Sequence, residues 1–591
     1  MKRLKIYLGL ITVFIGLNLA SCSDILNVEP HSSISDAAVW SSLDLANAFL
    51  NNCYSTIEAE NEYGVMWCNY TDETYHLFDY GTSNYTQGLL TPDNYNVGWT
   101  EGKGNTWNHY YTGIQHVNQF LEKIDNVPVV SDEDKVKKNE MIGQAYFLRA
   151  FFYQYLYALY GRIPLIYHVF DLNSKFDEKR ADMDVVADSI VKDCDRAAAL
   201  LPVSYSGSGD FGRATKGAAL AVKARVLLFK ASPLFGTPSQ EKWKAAAAAN
   251  KAVIDLGVYS LKPVSNSDDY AALFYDGHNP EVIFEKRFNI KGTTGASQSY
   301  VMQAPPGPGS GYGGWSTWEP TYEIVNSFEN ADGTTYITKG LKDYTIHKPS
   351  IVNGSISYKD TTVLATSENP YDGRDIRLKA DILFDGEKWG YGDSKRVVED
   401  FEPAEQGVVP GKDSRTGDTY WNASLTRYNM KKFLNPNVDT YNTSVSDTTS
   451  WFFIRLSEIY LNYAECELQL GNTNEALTYI NKVRTRALMP AATVSDDLWS
   501  VYYYERKIEL MFEGHRFFDL RRWKQMGDIY AQTHWPTGIE IYKFKDGTKI
   551  YTHNATNYIQ QRHFKDPQAY WFPIPRYELN KCPNLDATPY E

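Results

Sequence analysis

The chain has 591 residues, with 59 Lys and Arg against 72 Asp and Glu, and a formal net charge of −13. That balance, with no basic patch, excludes nucleic acid as a partner, and the length is enough for one very large domain or several ordinary ones. Hydrophobic residues make up a normal 43%, whereas 44 Tyr and 14 Trp are many for any single purpose, since aromatics serve cores, interfaces and stacking surfaces alike.

In chain order, Lys2, Arg3 and Lys5 form a cationic start, and residues 6–21 form an apolar run. The run is shorter than the roughly 20 residues that cross a bilayer, and a cysteine ends it. Leu19-Ala20-Ser21-Cys22 is similar to a lipobox: small residues admit a signal peptidase, and the Cys22 sulfur takes the lipid. Residues 1–21 are thus expected to be a lipoprotein signal peptide, whose removal takes the net charge to −16. Acyl chains on Cys22 would then hold the chain on a membrane without a spanning helix. Residues 22–40 read as a polar tether. Of the other cysteines, Cys53 and Cys68 are compatible with a disulfide in an exported protein, and no CxxC spacing occurs.

Helical periodicity follows over 135–160, stopped by Gly161 and Pro164, and over 178–201, 214–232 and 240–257. It returns over 454–470, 473–487 and 499–526. Small residues such as Ala218, Ala219, Ala221 and Ala224 mark close helix crossings, so the pairs resemble degenerate tetratricopeptide units with no clean 34-residue repeat. Between them, residues 258–450 are rich in Gly, Pro, Asn, Asp, Thr and Tyr, with only short strand-like runs such as 281–288. Residues 61–112 are similar in character. The expected fold is mainly α. It is one large domain over 41–591, with a helical scaffold at about 102–257 and 452–526 and loop-rich ligand-facing regions at about 61–112 and 258–450.

No catalytic or metal motif emerges. HExxH, a Walker A loop and a Gly-x-Ser-x-Gly elbow are all missing, and the eleven His residues are scattered. Arg455 with Glu458, Glu505 with Glu509, and Glu513 with His515, Arg516, Asp519, Arg521 and Arg522 crowd single helix faces. Such densely paired charges are expected to be ion-pair networks and not acid–base pairs. The loop-rich regions offer flat rings among amides: Tyr95, Trp99 and Trp107 beside Asn84, Asn94, Asn96 and Asn108, and Tyr312, Trp315 and Trp318 in GPGSGYGGWSTWEP (307–320). Rings stack on pyranose C–H faces and amides bond hydroxyls, which makes these six the candidate ligand-binding residues. The glycines around Trp315 and Trp318 predict surface exposure, while packing on the scaffold is as good a reading for Trp99 and Trp107.

The helical segments also carry a family likeness. GQAYFLRAFFYQYLYALYGRIPLI (143–166) resembles the early helix of the SusD/RagB family of Bacteroidetes outer-membrane nutrient-binding lipoproteins. Ala145, Leu148, Arg149, Ala150, Gly161 and Pro164 stand in its pattern positions. GRATKGAALAVKARVLLFKASPLF (212–235) is similar to the next signature. EPTYEIVNSFE (319–329), NPYDGRDIRL (369–378), FFIRLSEIYLNYAECELQLGN (452–472), ERKIELMFEGHRFFDLRRW (505–523) and FPIPRYELNKCPNL (572–585) resemble those that follow, in order. The resemblance implies a non-catalytic, cofactor-free protein at the cell surface of the outer membrane, anchored through Cys22. It would bind oligo- or polysaccharide as the lid of a SusC-like TonB-dependent transporter. Two other readings stand beside it: peptide or other non-glycan binding, as in the RagB branch, and a lipid-anchored glycoside hydrolase with two carboxylates facing one cleft.

Overall fold

The computed structural model describes residues 36–60, 66–97, 106–171, 173–277, 279–288, 314–352, 355–392, 395–417, 422–438, 448–532, 536–552 and 560–590. Its frame is a stack of helices: α1 (Leu43–Tyr54), α2 (Thr106–Lys123), α3 (Asp132–Tyr160), α4 (Met183–Leu200), α5 (Lys216–Ala231) and α6 (Gln240–Ile254). After the excursion come α7 (Leu456–Leu470), α8 (Thr473–Arg486), α9 (Leu498–Glu509) and α10 (His515–Arg522). Sequence neighbours pack side by side from α2 to α6, and α6 then packs on α7, so the stack continues across the excursion as though uninterrupted. Among the described residues no helix is long and apolar enough to cross a membrane.

α3 is the axis of this stack. Ser131 and Asp134 open it with a reciprocal capping box, the Ser131 hydroxyl accepting from Asp134 N–H and the Asp134 carboxylate accepting from Ser131 N–H. Asp132, Glu133 and Asp134 in the first turn complement the helix dipole. From Phe147 to Tyr160 all but Tyr155 are buried, because α1, α2, α4 and α5 surround the helix. Arg149 lies within this apolar stretch and is matched there. Its Nε and Nη2 donate to the two Asp193 carboxylate oxygens of α4 at 2.7 and 2.9 Å, and Nη1 donates to Asn118 of α2 at 2.9 Å. Arg225 of α5 does the same across the excursion, donating to both oxygens of Glu458 in α7 and to the Phe453 carbonyl. A bidentate guanidinium fixes angle as well as distance, so these two arginines set how three pairs of helices meet.

The strands include β1 (Thr74–His76), β2 (Val282–Lys286), β3 (Trp318–Pro320), β4 (Lys342–Val352), β5 (Ser355–Thr366), β6 (Glu402–Pro403), β7 (Trp451–Arg455), β8 (Ile541–Lys543) and β9 (Lys549–Thr552), beside four two-residue strands in the 382–430 segment. β2 pairs antiparallel with β7 and presses Phe284 onto Phe147 and Phe151 of α3. β4, β5, β9, β8 and β6 form one sheet in that order. It curls until His347 N–H of the first strand donates to the Ala404 carbonyl just past the last, around Ile346, Ala365, Ala404, Tyr542 and Ile550. The mainly α class holds. The paired eleven- and twelve-residue strands β4 and β5 correct the expectation of short strands alone, and residues 499–526 are not one helix. The chain breaks between α9 and α10, where Phe512 and Gly514 take φ of 63° and 78°. Gly514 has no room for a side chain, because a Cβ would strike the Glu60 carboxylate. Cys53 and Cys68 are both buried as free thiols, so the disulfide is not formed.

Candidate functional site

β1 and β3 bring the two loop-rich regions together. Thr74 faces Pro320, Tyr75 faces Glu319 and His76 faces Trp318, and Leu77 N–H continues the ladder to the Thr317 carbonyl at 3.0 Å. Both chains then leave through left-handed backbone at non-glycine residues: Asp79 (φ 60°), Tyr80 (φ 44°) and Ser316 (φ 48°). Such residues carry strain that surrounding contacts must hold, and they cluster at functional sites. Asp79 is held by its own carboxylate, which accepts from Ser83 N–H (2.7 Å), Ser83 Oγ (2.8 Å) and Thr82 Oγ1 (2.9 Å).

This turn presents three half-buried rings. Phe78 meets Trp315 edge-on at 6.2 Å and 84°, and Tyr80 lies 5.9 Å from Phe78 and 5.4 Å from His76. Glu319 anchors the strand β3, which follows Trp315. Fully buried, it accepts from the backbone N–H of Leu425 (2.9 Å) and Thr426 (3.3 Å), tying β3 to the 422–428 segment, whose Asn422 amide donates to the Gly314 carbonyl. Burial outweighs those two bonds and pushes the Glu319 carboxyl from 4.5 up to about 8.

The six candidate rings fare differently. Trp315 is in the cluster. Trp318 is wholly buried, which corrects the expected exposure: its strand is paired with β1, and Ser316 to Thr321 are all buried. Trp107 is also a packing residue, 4% exposed and enclosed by Tyr111 and Tyr160. Tyr95 is half-buried against Tyr577 in a separate loop, which Arg576 clamps through Asp93. The Asn84 and Asn94 amides beside it are spent on each other and on the backbone of Leu89 and Asn96. Trp99, Tyr312 and Cys22 lie outside the described residues. Phe78 and Tyr80 were not among the sequence candidates. The signal for them is the string Phe78-Asp79-Tyr80-Gly81, two aromatics in a turn whose Asp and Gly tolerate positive φ.

Most of the crowded charges of 452–523 form a buried ion-pair network, and Arg521 corrects the expectation, because it donates to the Ala158, Leu159 and Tyr570 carbonyls and to no carboxylate among the described residues. Glu509 accepts from Arg455 (2.7 Å), Arg377 (3.1 Å), the Tyr270 hydroxyl (3.0 Å) and Arg486. Glu505 pairs with Arg377 and Arg484, and Glu513 with Arg455 and Lys432. Burial opposes charge on Glu509, but Arg486, Arg455 and Arg377 hold it well below the usual carboxylate range. Glu505 and Glu509 are fully excluded from solvent and face guanidinium groups, as expected for a network that joins helices and loops.

Comparison with known proteins agrees with this architecture. Residues 24–228 match the family model described as starch-binding associating with outer membrane. SusD-like protein P25 of Formosa agariphila is 24% identical over 559 residues, covering 89% of this chain and 91% of its own. A SusD-like protein from Bacteroides fragilis superposes with a TM-score of 0.75 at 25% identity, covering 94% of this chain and 99% of its own. A SusD-like carbohydrate binding protein of the same species gives 0.69 at 23%, covering 93% and 99%. Residues 280–590, more than half of the sequence, match the SusD family model, and the chain belongs to that family.

Proposed function

We propose that the protein is a non-catalytic, cell-surface glycan-binding lipoprotein of the outer membrane. It is anchored through Cys22, and it captures oligo- or polysaccharide for a SusC-like TonB-dependent transporter. The observation that carries the binding role is the group of Phe78, Tyr80 and Trp315 on a turn of strained backbone braced by Asp79 and Glu319. Flat rings in a fixed arrangement suit the C–H faces of successive sugar units, because little conformational entropy is lost on binding. Kinship with a SusD-like carbohydrate binding protein points the same way. The anchor rests on the lipobox-like sequence ending at Cys22, and the transporter partnership on family membership.

Electrophoresis of the mature protein through gels containing a panel of polysaccharides tests this reading. At least one polysaccharide should retard the wild type, and Trp315→Ala and Phe78→Ala should abolish most of that retardation while still melting cooperatively. Trp318→Ala should instead lower stability by about 3–5 kcal/mol, the cost of emptying a buried tryptophan site. Retardation that survives both surface substitutions would remove the platform from the account, and release of reducing ends by the purified protein would establish a hydrolase.

A further inference from the structure

A cavity of about 150 Å³ lies elsewhere on the protein, between the 203–215 connection into α5, residues 258–259 after α6, and β2. It shares no residue with the Phe78–Trp315 group. Ile283 and Phe284 of β2 line it, together with the rings of Tyr205 and Tyr259, and the exposed Val203 and Val258 line it as well.

Both tyrosine rings are fixed from behind. The Tyr205 hydroxyl donates to the Ala214 carbonyl (3.2 Å) and accepts from the Gln144 amide (3.3 Å). Tyr259 packs its hydroxyl end against α5 at Gly217, where a Cβ would come within 2.7 Å of the ring, and its hydroxyl is 3.4 Å from Thr215 Oγ1. Charged groups complete the lining. Arg213 donates to Asp210 (3.0 Å), Gln144 (3.1 Å) and Asn51 (2.9 Å), which uses three of a guanidinium's five N–H groups and leaves two. Asp210 keeps its second carboxylate oxygen clear of that pair.

The geometry points to a second carbohydrate subsite here, sized for one pyranose ring held between Tyr205 and Tyr259, with its hydroxyls on Arg213 and Asp210. A cavity near this volume takes a single six-membered ring. An aromatic guest would use neither the two remaining Arg213 N–H groups nor the second Asp210 oxygen, whereas a pyranose has apolar faces and a polar rim, matching both kinds of lining. The assignment rests on the glycan-binding reading and extends it to a second place on the protein.

Saturation-transfer NMR of the mature protein with a panel of methyl pyranosides, and with p-cresol as the apolar ring, tests the assignment. At least one pyranoside should give a signal in the wild type that persists in Trp315→Ala. It should fall roughly fivefold in Val203→Arg, which obstructs the mouth from an exposed position, and in Tyr259→Ala. Because Tyr259→Ala removes a packed ring, Val203→Arg decides if that variant fails to fold. A pyranoside signal unaffected by Val203→Arg overturns the subsite, as does a signal from p-cresol alone, which would indicate a partner's aromatic side chain. Signal lost only in Trp315→Ala overturns the subsite and leaves glycan binding standing. Absence of all pyranoside signals overturns it too, with gel retardation deciding the broader reading separately.

Discussion

At the level of single residues, Trp315 and Trp318 show what composition conveys and what it omits. Both belong to one Gly-rich string, yet three positions separate a half-buried ring at the surface from one with no exposure. The difference is made by pairing with β1, some 240 residues earlier, and no local pattern records such a partner. The buried Glu319 between them and the 422–428 segment has a consequence for pH. Its folded carboxyl titrates at about 8 against 4.5 when free, because burial disfavours the charge. Between those values the folded chain keeps a proton that the unfolded chain has released. The resulting stabilisation is complete below about pH 4.5 and is lost as pH rises through 8. Urea denaturation between pH 5 and 8 should therefore show Glu319→Gln losing a downward slope of up to ~1.4 kcal/mol per pH unit relative to wild type. Parallel wild-type and variant curves would contradict this account.

Among the elements, the helices were legible because three- and four-residue apolar spacing survives in any context, and Gly161 marked the end of α3 correctly. That glycine has φ 67°, and a Cβ would meet Trp571 at 2.8 Å, so Gly161→Ala combines backbone strain with a clash. The expected cost is about 2–3 kcal/mol, measured as a lower melting temperature, and a neutral substitution would mean that the C-terminal segment moves aside freely. The β4–β5 pair was not legible. β4 contains Pro349, which argues against a central strand, and the pair carries Lys, Asp, Ser and Thr on a largely exposed surface without a clean hydrophobic face. The break between α9 and α10 escaped for the converse reason. The apolar periodicity runs straight through Leu510, Met511 and Phe512, while the turn is made by left-handed backbone at Phe512 and Gly514, which a run of apolar residues does not announce.

For the molecule as a whole, the charged motifs were read correctly as structure, since so many opposite charges at helical spacing have few other uses. Which charges pair depended on the fold: Arg377 reaches Glu505 and Glu509 from the excursion, and Arg225 reaches Glu458 from the other half of the stack. The same arrangement fixes an order of events in folding. α6 ends at Ile254 and its partner α7 begins at Leu456, so about 200 residues must emerge before the stack can close. Until then the α7-facing side of Trp243, Ala246 and Ala247 stays uncovered, and Arg225 has no carboxylate. Contacts this distant in sequence are slow to form, and an incomplete chain exposes apolar surface meanwhile. A fragment ending at residue 257 should therefore be soluble only when fused to a carrier and should lack a cooperative melting transition; a sharp transition would show the first half to be self-sufficient. A scaffold that cannot lock before its last third arrives therefore stays pliable until synthesis is nearly complete.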